Sequence, residues 1–323
     1  MTARQLSEVH GHALSELETL LRESCGIFDD EVHLKKEALG GWSNINILGS
    51  SSGIEFVLKL PWAIKPLASF YDFLHSVSKY YSNYGITSAP LASGMLDDDK
   101  ETPFILFEYL PGDTYQNLNE LDIDNLRHFK ECLNVLYRQK PPDFLLHYSP
   151  FEYARAATVD IREDPLLSEC SDELNLLFQE FIKTHDSILR YSEEVPWTGK
   201  QAVMHGDLWI PNVVFQSEKA FLLDLESCTS GNSHLDLAYL VESPKIPINL
   251  RTELPALLTR GFDFQTIDKL RPLALAHIVG WSFDRLLSME AGFVEPNLNT
   301  PTSRIAVMEY TREKVVRLQT MFS

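Results

Sequence analysis

The sequence predicts an α+β protein of two lobes: a small β-rich part over residues 1–110 and a larger, mostly helical part over 111–323. Three observations predict it. The length, 323 residues, exceeds one simple domain and falls short of three. Apolar spacing changes from short strand-like runs to a helical period near residue 110. One β-rich stretch, 201–226, stands alone among helical blocks, which is where a site is expected.

The elements follow in order. The start, MTARQLSEVHGHALSELETLL, reads as an amphipathic helix with Leu6, Val9, Ala13, Leu14, Leu17 and Leu20 on one face. Strands over roughly 45–49 and 54–60 flank a turn-prone Gly49-Ser50-Ser51-Ser52-Gly53. A helix over 67–83 leads through a loop into a further strand beginning near Pro90. The strand from Thr102 to Leu110 stops at Pro111-Gly112, a natural hinge. Asp124 is positioned to cap a helix carrying Leu126, Phe129, Leu133 and Leu136, and Pro141-Pro142 ends it. Ser171 starts another, with Leu174, Leu177, Phe178, Phe181 and Ile182 aligned. From about residue 234, several helices are expected, broken by prolines and glycines.

Composition excludes some functions. An apolar share of 44% supplies a core, so disorder is not the main state. A formal charge of −18 argues against a nucleic acid or an anionic membrane as partner, and is compatible with a cationic substrate. No apolar run approaches the roughly 18–20 residues that span a bilayer, and the start lacks a signal-peptide core. Cys25, Cys132, Cys170 and Cys228 are scattered, as reduced thiols of a cytoplasmic protein would be.

The island carries the chemistry. Gln201 to Phe215 and Ala220 to Glu226 flank the polar turn Gln216-Ser217-Glu218-Lys219, a hairpin pattern. If Phe215 faces Ala220, Asn212 faces Leu223 and Asp224 lies one step diagonally away, within roughly 5–8 Å. An amide oxygen and a carboxylate so placed can share a divalent cation. Asp207 precedes Asn212 by five residues. Phosphoryl transfer needs a carboxylate to orient and deprotonate a hydroxyl, and oxygen ligands to hold Mg²⁺ against phosphate. Asp207-Leu-Trp-Ile-Pro-Asn212, with Asp224 on the next strand, has that spacing.

His205-Gly206-Asp207-Leu208 with Asn212, then Leu223-Asp224-Leu225-Glu226 and Leu235-Asp236-Leu237-Ala238, resembles the aminoglycoside phosphotransferase and choline kinase family. These are small-molecule kinases of bilobal, protein-kinase-like fold. Gly40-Gly41-Trp42-Ser43-Asn44 is similar to the family's nucleotide loop, and Val57-Leu58-Lys59-Leu60 to its phosphate-binding strand. Leu106 to Gly112 resembles the inter-lobe linker whose backbone, around Glu108 and Leu110, contacts adenine. The resemblance covers roughly residues 30–240. It implies a nucleotide-binding lobe over 1–110 and a catalytic hairpin with a substrate pocket in 111–323. It makes Asp207 the base, Asn212 and Asp224 the Mg²⁺ ligands, and His205 and Asp236 structural supports. Glu226 becomes a second-metal or substrate residue. ATP (or GTP) and Mg²⁺ are the implied cofactors. The family pairs its strand lysine with a glutamate on the next helix; here that helix offers only Asp72 to Lys59.

Rival readings fit less well. A metal-dependent phosphoesterase needs an early Asp-x-His, and the sequence has none. A catalytically weak nucleotide-binding module would lack Asp207, Asn212 or Asp224. A protein kinase needs a longer segment than the one between Asp224 and Asp236. The expected partner is therefore a small-molecule hydroxyl acceptor, aminoglycoside-, choline- or sugar-like. Tyr153, Trp281 and Asp284 are candidates to line its pocket, since aromatic rings and acids suit an amine.

Overall fold

The computed structural model describes residues 4–6, 8–39, 44–61, 68–96, 101–195, 201–249, 263–293 and 303–323. The chain divides into two compact units, Met1–Pro111 with Gly292–Ser303, and Gly112–Ala291 with Arg304–Ser323.

The first unit is built on an antiparallel sheet. Its strands are β1 (Arg4–Gln5), β4 (His33–Ala38), β5 (Asn44–Ser51), β6 (Ile54–Pro61), β8 (Pro103–Glu108) and β7 (Pro90–Met95), in that spatial order. A small hairpin, β2 (Glu8–Val9) with β3 (His12–Ala13), leads into helix α1 (Leu14–Cys25). Helix α2 (Ala68–Ser82) follows β6. The β5–β6 turn closes with Ser51 opposite Ile54, so only Ser52 and Gly53 turn the chain, at φ 51° and 81°. Two successive positive φ values match the right-handed strand twist of a tight hairpin. Phe56, Leu58 and Leu60 on β6 and Phe104, Ile105 and Leu106 on β8 are fully buried.

The expected N-terminal helix begins only at Leu14. His10 and Gly11 take positive φ, 53° and 87°, which a right-handed helix cannot absorb. His10 Nε2 is instead tied to the Pro61 carbonyl at 2.7 Å. The buried face of α1 is Leu14, Leu17 and Leu21; Leu20 is only partly covered.

The second unit is helical around two small β-pairs. Its helices are α3 (Ile123–Arg138), α4 (Pro150–Arg162), α5 (Asp172–Glu194), α6 (Ser233–Glu242), α7 (Phe264–Glu290) and α8 (Arg304–Met321). Ser171 caps α5 by accepting from the Leu174 amide, and Leu174, Leu177, Phe178, Phe181 and Ile188 line its buried face. Burying side chains of this kind is worth about 1.5–3 kcal/mol each before entropy is charged against it. The cap of α3 is Asp122, accepting from the Asn125 amide at 2.7 Å, rather than Asp124. Asp124 lies in the first turn and pairs with Arg127.

The C-terminal helices are longer than their prolines and glycines suggest. Helix α7 runs unbroken through Pro272 and Gly280. A Cβ on Gly280 would lie 2.6 Å from the Ala157 carbonyl, so this glycine lets α4 and α7 approach rather than breaking α7. The fully buried Glu242 carboxylate, at the end of α6, takes Arg271 of α7 at 2.6 Å and Arg317 of α8 at 2.5 Å. A buried carboxylate needs such partners to offset its lost hydration.

The β-island forms two pairs. Strand β9 (Ala202–Met204) pairs with β12 (Thr229–Gly231), a partner the sequence reading did not anticipate. Strand β10 (Val213–Gln216) pairs with β11 (Lys219–Leu222), with Phe215 opposite Ala220 as the hairpin pattern predicts.

Candidate active site

The loop between β9 and β10 is held from three sides. Its Gly206 sits at φ 82°, and a Cβ there would come within 2.0 Å of the Ser227 carbonyl, so only glycine fits. Asp236, in the first turn of α6, accepts the His205 and Gly206 amides on separate carboxylate oxygens at 2.7 and 2.9 Å. His205 is fully buried, and burial holds its imidazole down to about 4. The neutral ring donates from Nε2 to the Leu223 carbonyl at 2.8 Å and accepts the Asp207 amide on Nδ1 at 3.3 Å. One histidine thus joins the loop to the end of β11.

Asp207 is half-buried. Asn212 Nδ2 donates to its backbone oxygen at 3.0 Å and to its Oδ2 at 2.9 Å. The Leu223 amide donates to the Asn212 carbonyl at 2.8 Å, which brings Asp224 beside Asn212. Asp224 takes a left-handed backbone, φ 57° and ψ 55°, a conformation that aspartate tolerates better than most residues. Burial pushes the Asp207 carboxyl up to about 7, reinforced by the charges of Glu226 and Asp224 and opposed by hydrogen bonds from Tyr239 and Asn212.

These residues fit a divalent cation. The two charges acting on Asp207 are both negative. Asn212 spends both amide protons on Asp207, which leaves its amide oxygen as the acceptor end. Among the described residues no group of three or more His, Cys, Asp or Glu could hold a metal alone. Mg²⁺ typically takes one or two protein oxygens plus phosphate and needs no such cage.

Aromatic rings gather beside Asp207. Tyr239, on α6, hydrogen-bonds its carboxylate. Tyr153, buried on α4, feels the charges of Asp236 and Asp207, and Tyr310, on α8, that of Asp207. His277, on α7, stacks on Tyr153 with centroids 4.4 Å apart and meets Tyr239 edge-on at 6.2 Å. Of the predicted pocket residues, Tyr153 is thus beside Asp207. Trp281 and Asp284 lie one and two turns beyond His277 along the same face of α7, Asp284 exposed. Sequence reading missed Tyr239, His277 and Tyr310. Tyr239 follows Asp236 by three residues and His277 precedes Trp281 by four, both same-face helical spacings that could have flagged them.

In the first unit, Lys59 is buried on β6 between Asn46 and Ile105. Asp72 is not its partner. It lies on the exposed face of α2, while Tyr71, Leu74, Val77 and Tyr81 carry the buried face. Asp72 follows Tyr71 by one residue, about 100° around the helix, too far to share that face. Tyr71 donates instead to Asn44 Oδ1 at 2.9 Å, where the predicted nucleotide loop enters β5. Ser43 and the glycines of that loop lie outside the described residues. Glu108 spends its amide on the Ala89 carbonyl and its carbonyl on the Ser88 hydroxyl. Among the described residues no group hydrogen-bonds the Leu110 backbone.

The fold is protein-kinase-like. Residues 36–273 match the family model described as the phosphotransferase enzyme family, and the chain belongs to that family. It is 22% identical to protein LicA of Haemophilus influenzae over 213 residues, 64% of this chain and 57% of that protein. The chain thus spans little more than half the length of this curated relative, and less of another. Its fold is similar to that of the Plasmodium vivax ethanolamine kinase, with TM-score 0.63 and 13% identity over 89% of this chain and 82% of that one. It is also similar to the aminoglycoside phosphotransferase APH(4)-Ia, a thermostable mutant solved with AMP-PNP and hygromycin B. That match has TM-score 0.61 and 13% identity over 95% and 99% of the chains. Among the described residues no helix is long and apolar enough to cross a membrane.

Proposed function

We propose that the chain transfers the γ-phosphoryl group of ATP to the hydroxyl of a small amino alcohol. The observation that carries this is Asp207: a carboxylate held by Asn212, flanked by two further acids, and bordered by Tyr239 and Tyr153. Asp207 accepts the hydroxyl proton as the acceptor oxygen bonds to the γ-phosphorus. The bond from that phosphorus to the β–γ bridging oxygen breaks, and the nucleoside diphosphate leaves. The acceptor oxygen must first stand within about 3–3.5 Å of the γ-phosphorus, so a base that is already oriented matters as much as its basicity. The Asn212 amide oxygen and Asp224 would hold Mg²⁺, which would neutralise phosphate charge when bound. Lys59 would touch phosphate, and the Leu110 backbone the adenine edge. Acids with aromatic faces suit an ammonium group, through charge and cation–π attraction. The ethanolamine kinase named above has the same fold.

The test is an ATP-consumption screen over small hydroxylated metabolites, including amino alcohols, sugars and aminoglycosides, with Asp207→Asn as the blank. Turnover of an amino alcohol that falls by about 10²–10⁴-fold in the variant is expected. Turnover indifferent to Asp207, or efficient phosphorylation of protein serines with no small alcohol accepted, would overturn the proposal.

A further inference from the structure

A cavity of about 590 Å³ opens beside β12 in the second unit. Its walls include Arg138 and Lys140 at the end of α3, Asp143 and His147 on the segment that follows, Gln201 just before β9, and Ser230 on β12. Small molecules are held in spaces of about 300–1,000 Å³, and this one falls within that range. Gln201 precedes β9 and Asp207 follows it, so the cavity opens at the other end of that strand from the candidate base.

The walls are basic, against the trend of the chain. Acids outnumber lysine and arginine by 46 to 28, so cations without an acid partner stand out. Arg138 and Lys140 are exposed and form no ion pair among the described residues. Asp143 is the one acid among the described residues that line the cavity.

His147 is held in place although it is exposed. The Ser230 amide donates to the Leu146 carbonyl at 2.8 Å, and the Tyr148 amide to the Ser230 carbonyl at 3.0 Å. Those two bonds pin the His147 backbone to β12. Gln201 Nε2 donates to His147 Nδ1 at 2.9 Å and to the buried Ser230 hydroxyl oxygen at 3.1 Å. Nδ1 is therefore an acceptor, and the ring proton stands on Nε2. The cavity thus brings together a guanidinium, an ammonium and a braced imidazole N–H.

We infer that this cavity binds the phosphate group of a small phosphomonoester, with Arg138, Lys140 and the His147 Nε2–H as donors. A dianion answers two cations, and its three oxygens can accept from all three groups. A monocarboxylate would leave one cation unanswered. The rest of the volume takes the organic part of the ligand. Binding there requires neither ATP nor Asp207.

The test is ¹⁵N-histidine NMR of the full chain at about pH 8, well above the second phosphate pKa of about 6. Inorganic phosphate is titrated in, with sodium chloride of equal ionic strength as the control. The His147 resonances are those that His147→Gln removes. Phosphate should move them along a saturating curve. Arg138→Gln combined with Lys140→Gln should weaken the midpoint by about tenfold or more, the usual worth of a hydrogen bond to a charged group. Asp143→Asn, which removes a repelling charge, should tighten it by about two- to fivefold. Acetate should bind about tenfold more weakly than phosphate, or worse. These substitutions alter exposed side chains, so the fold should be retained. Should the double variant not fold, Asp143→Asn and the acetate comparison decide. A resonance that phosphate leaves in place, an equal shift with chloride, or an unchanged midpoint in the double variant overturns the inference. So does acetate binding as tightly as phosphate, or an Asp143→Asn protein that binds phosphate no better than the wild type.

Discussion

Asn212 gives both of its amide protons to Asp207, one to the backbone oxygen at 3.0 Å and one to the carboxylate at 2.9 Å. A residue expected to hold a metal therefore also aims the expected base. Asn212→Asp would replace a donor with a third neighbouring negative charge. The Asp207 carboxyl, already pushed up to about 7, should rise further. A general base works only when deprotonated, so activity is lost below its titration and the acid limb should move to higher pH. A pH profile of kcat/KM for both proteins checks this. An unmoved limb would remove Asp207 from the titration that controls rate.

Gly280→Ala sets two effects against each other. Helix propensity favours alanine by about 1 kcal/mol. The added Cβ would meet the Ala157 carbonyl at 2.6 Å, and forced overpacking costs about 1–3 kcal/mol. The contact should win, giving a less stable protein by denaturant unfolding and a weaker amino-alcohol KM, because α4 and α7 carry Tyr153 and His277. A stabilised variant would show that the two helices can slide apart freely.

Lys59 and Asp72 should behave independently. Lys59→Met should weaken ATP binding strongly, whereas Asp72→Ala, on the exposed face of α2, should change it by less than about twofold. Tyr71→Phe, which loses the bond to Asn44, should have the larger effect of the two α2 variants. Calorimetric titration of each protein with ATP and Mg²⁺ tests the order.

Acid should reveal His277. Its imidazole is held down to about 4, below the ordinary value of 6.5. A depressed group stabilises the fold fully above its unfolded value, and that stabilisation is lost as pH falls through the interval toward 4. His277→Phe has nothing to protonate there, while His205, Asp207 and Asp236 titrate in both proteins and cancel. The unfolding free energy of the variant relative to wild type should therefore rise by about 1–2 kcal/mol between about pH 7.5 and about pH 5. Denaturant melts at the two pH values measure it, and a constant difference would refute it.

The sequence by itself determined the features that depend on neighbours a few residues apart. Alternation and a polar turn placed Phe215 opposite Ala220, which set Asn212 beside Leu223 and Asp224. Five-residue spacing put Asn212 within reach of Asp207, and Ser171 announced its helix. Turn chemistry and side-chain period are local, so they can be read without knowing the fold. Only the tertiary structure decided which faces meet. It turned Asp72 outward and Tyr71 inward, kept α7 whole through Pro272 and Gly280, and paired β9 with β12. It also stacked His277 on Tyr153 and set Tyr239 against Asp207. Those choices follow from packing between segments far apart in the chain, where a glycine can break a helix or bring two together depending on what lies across from it.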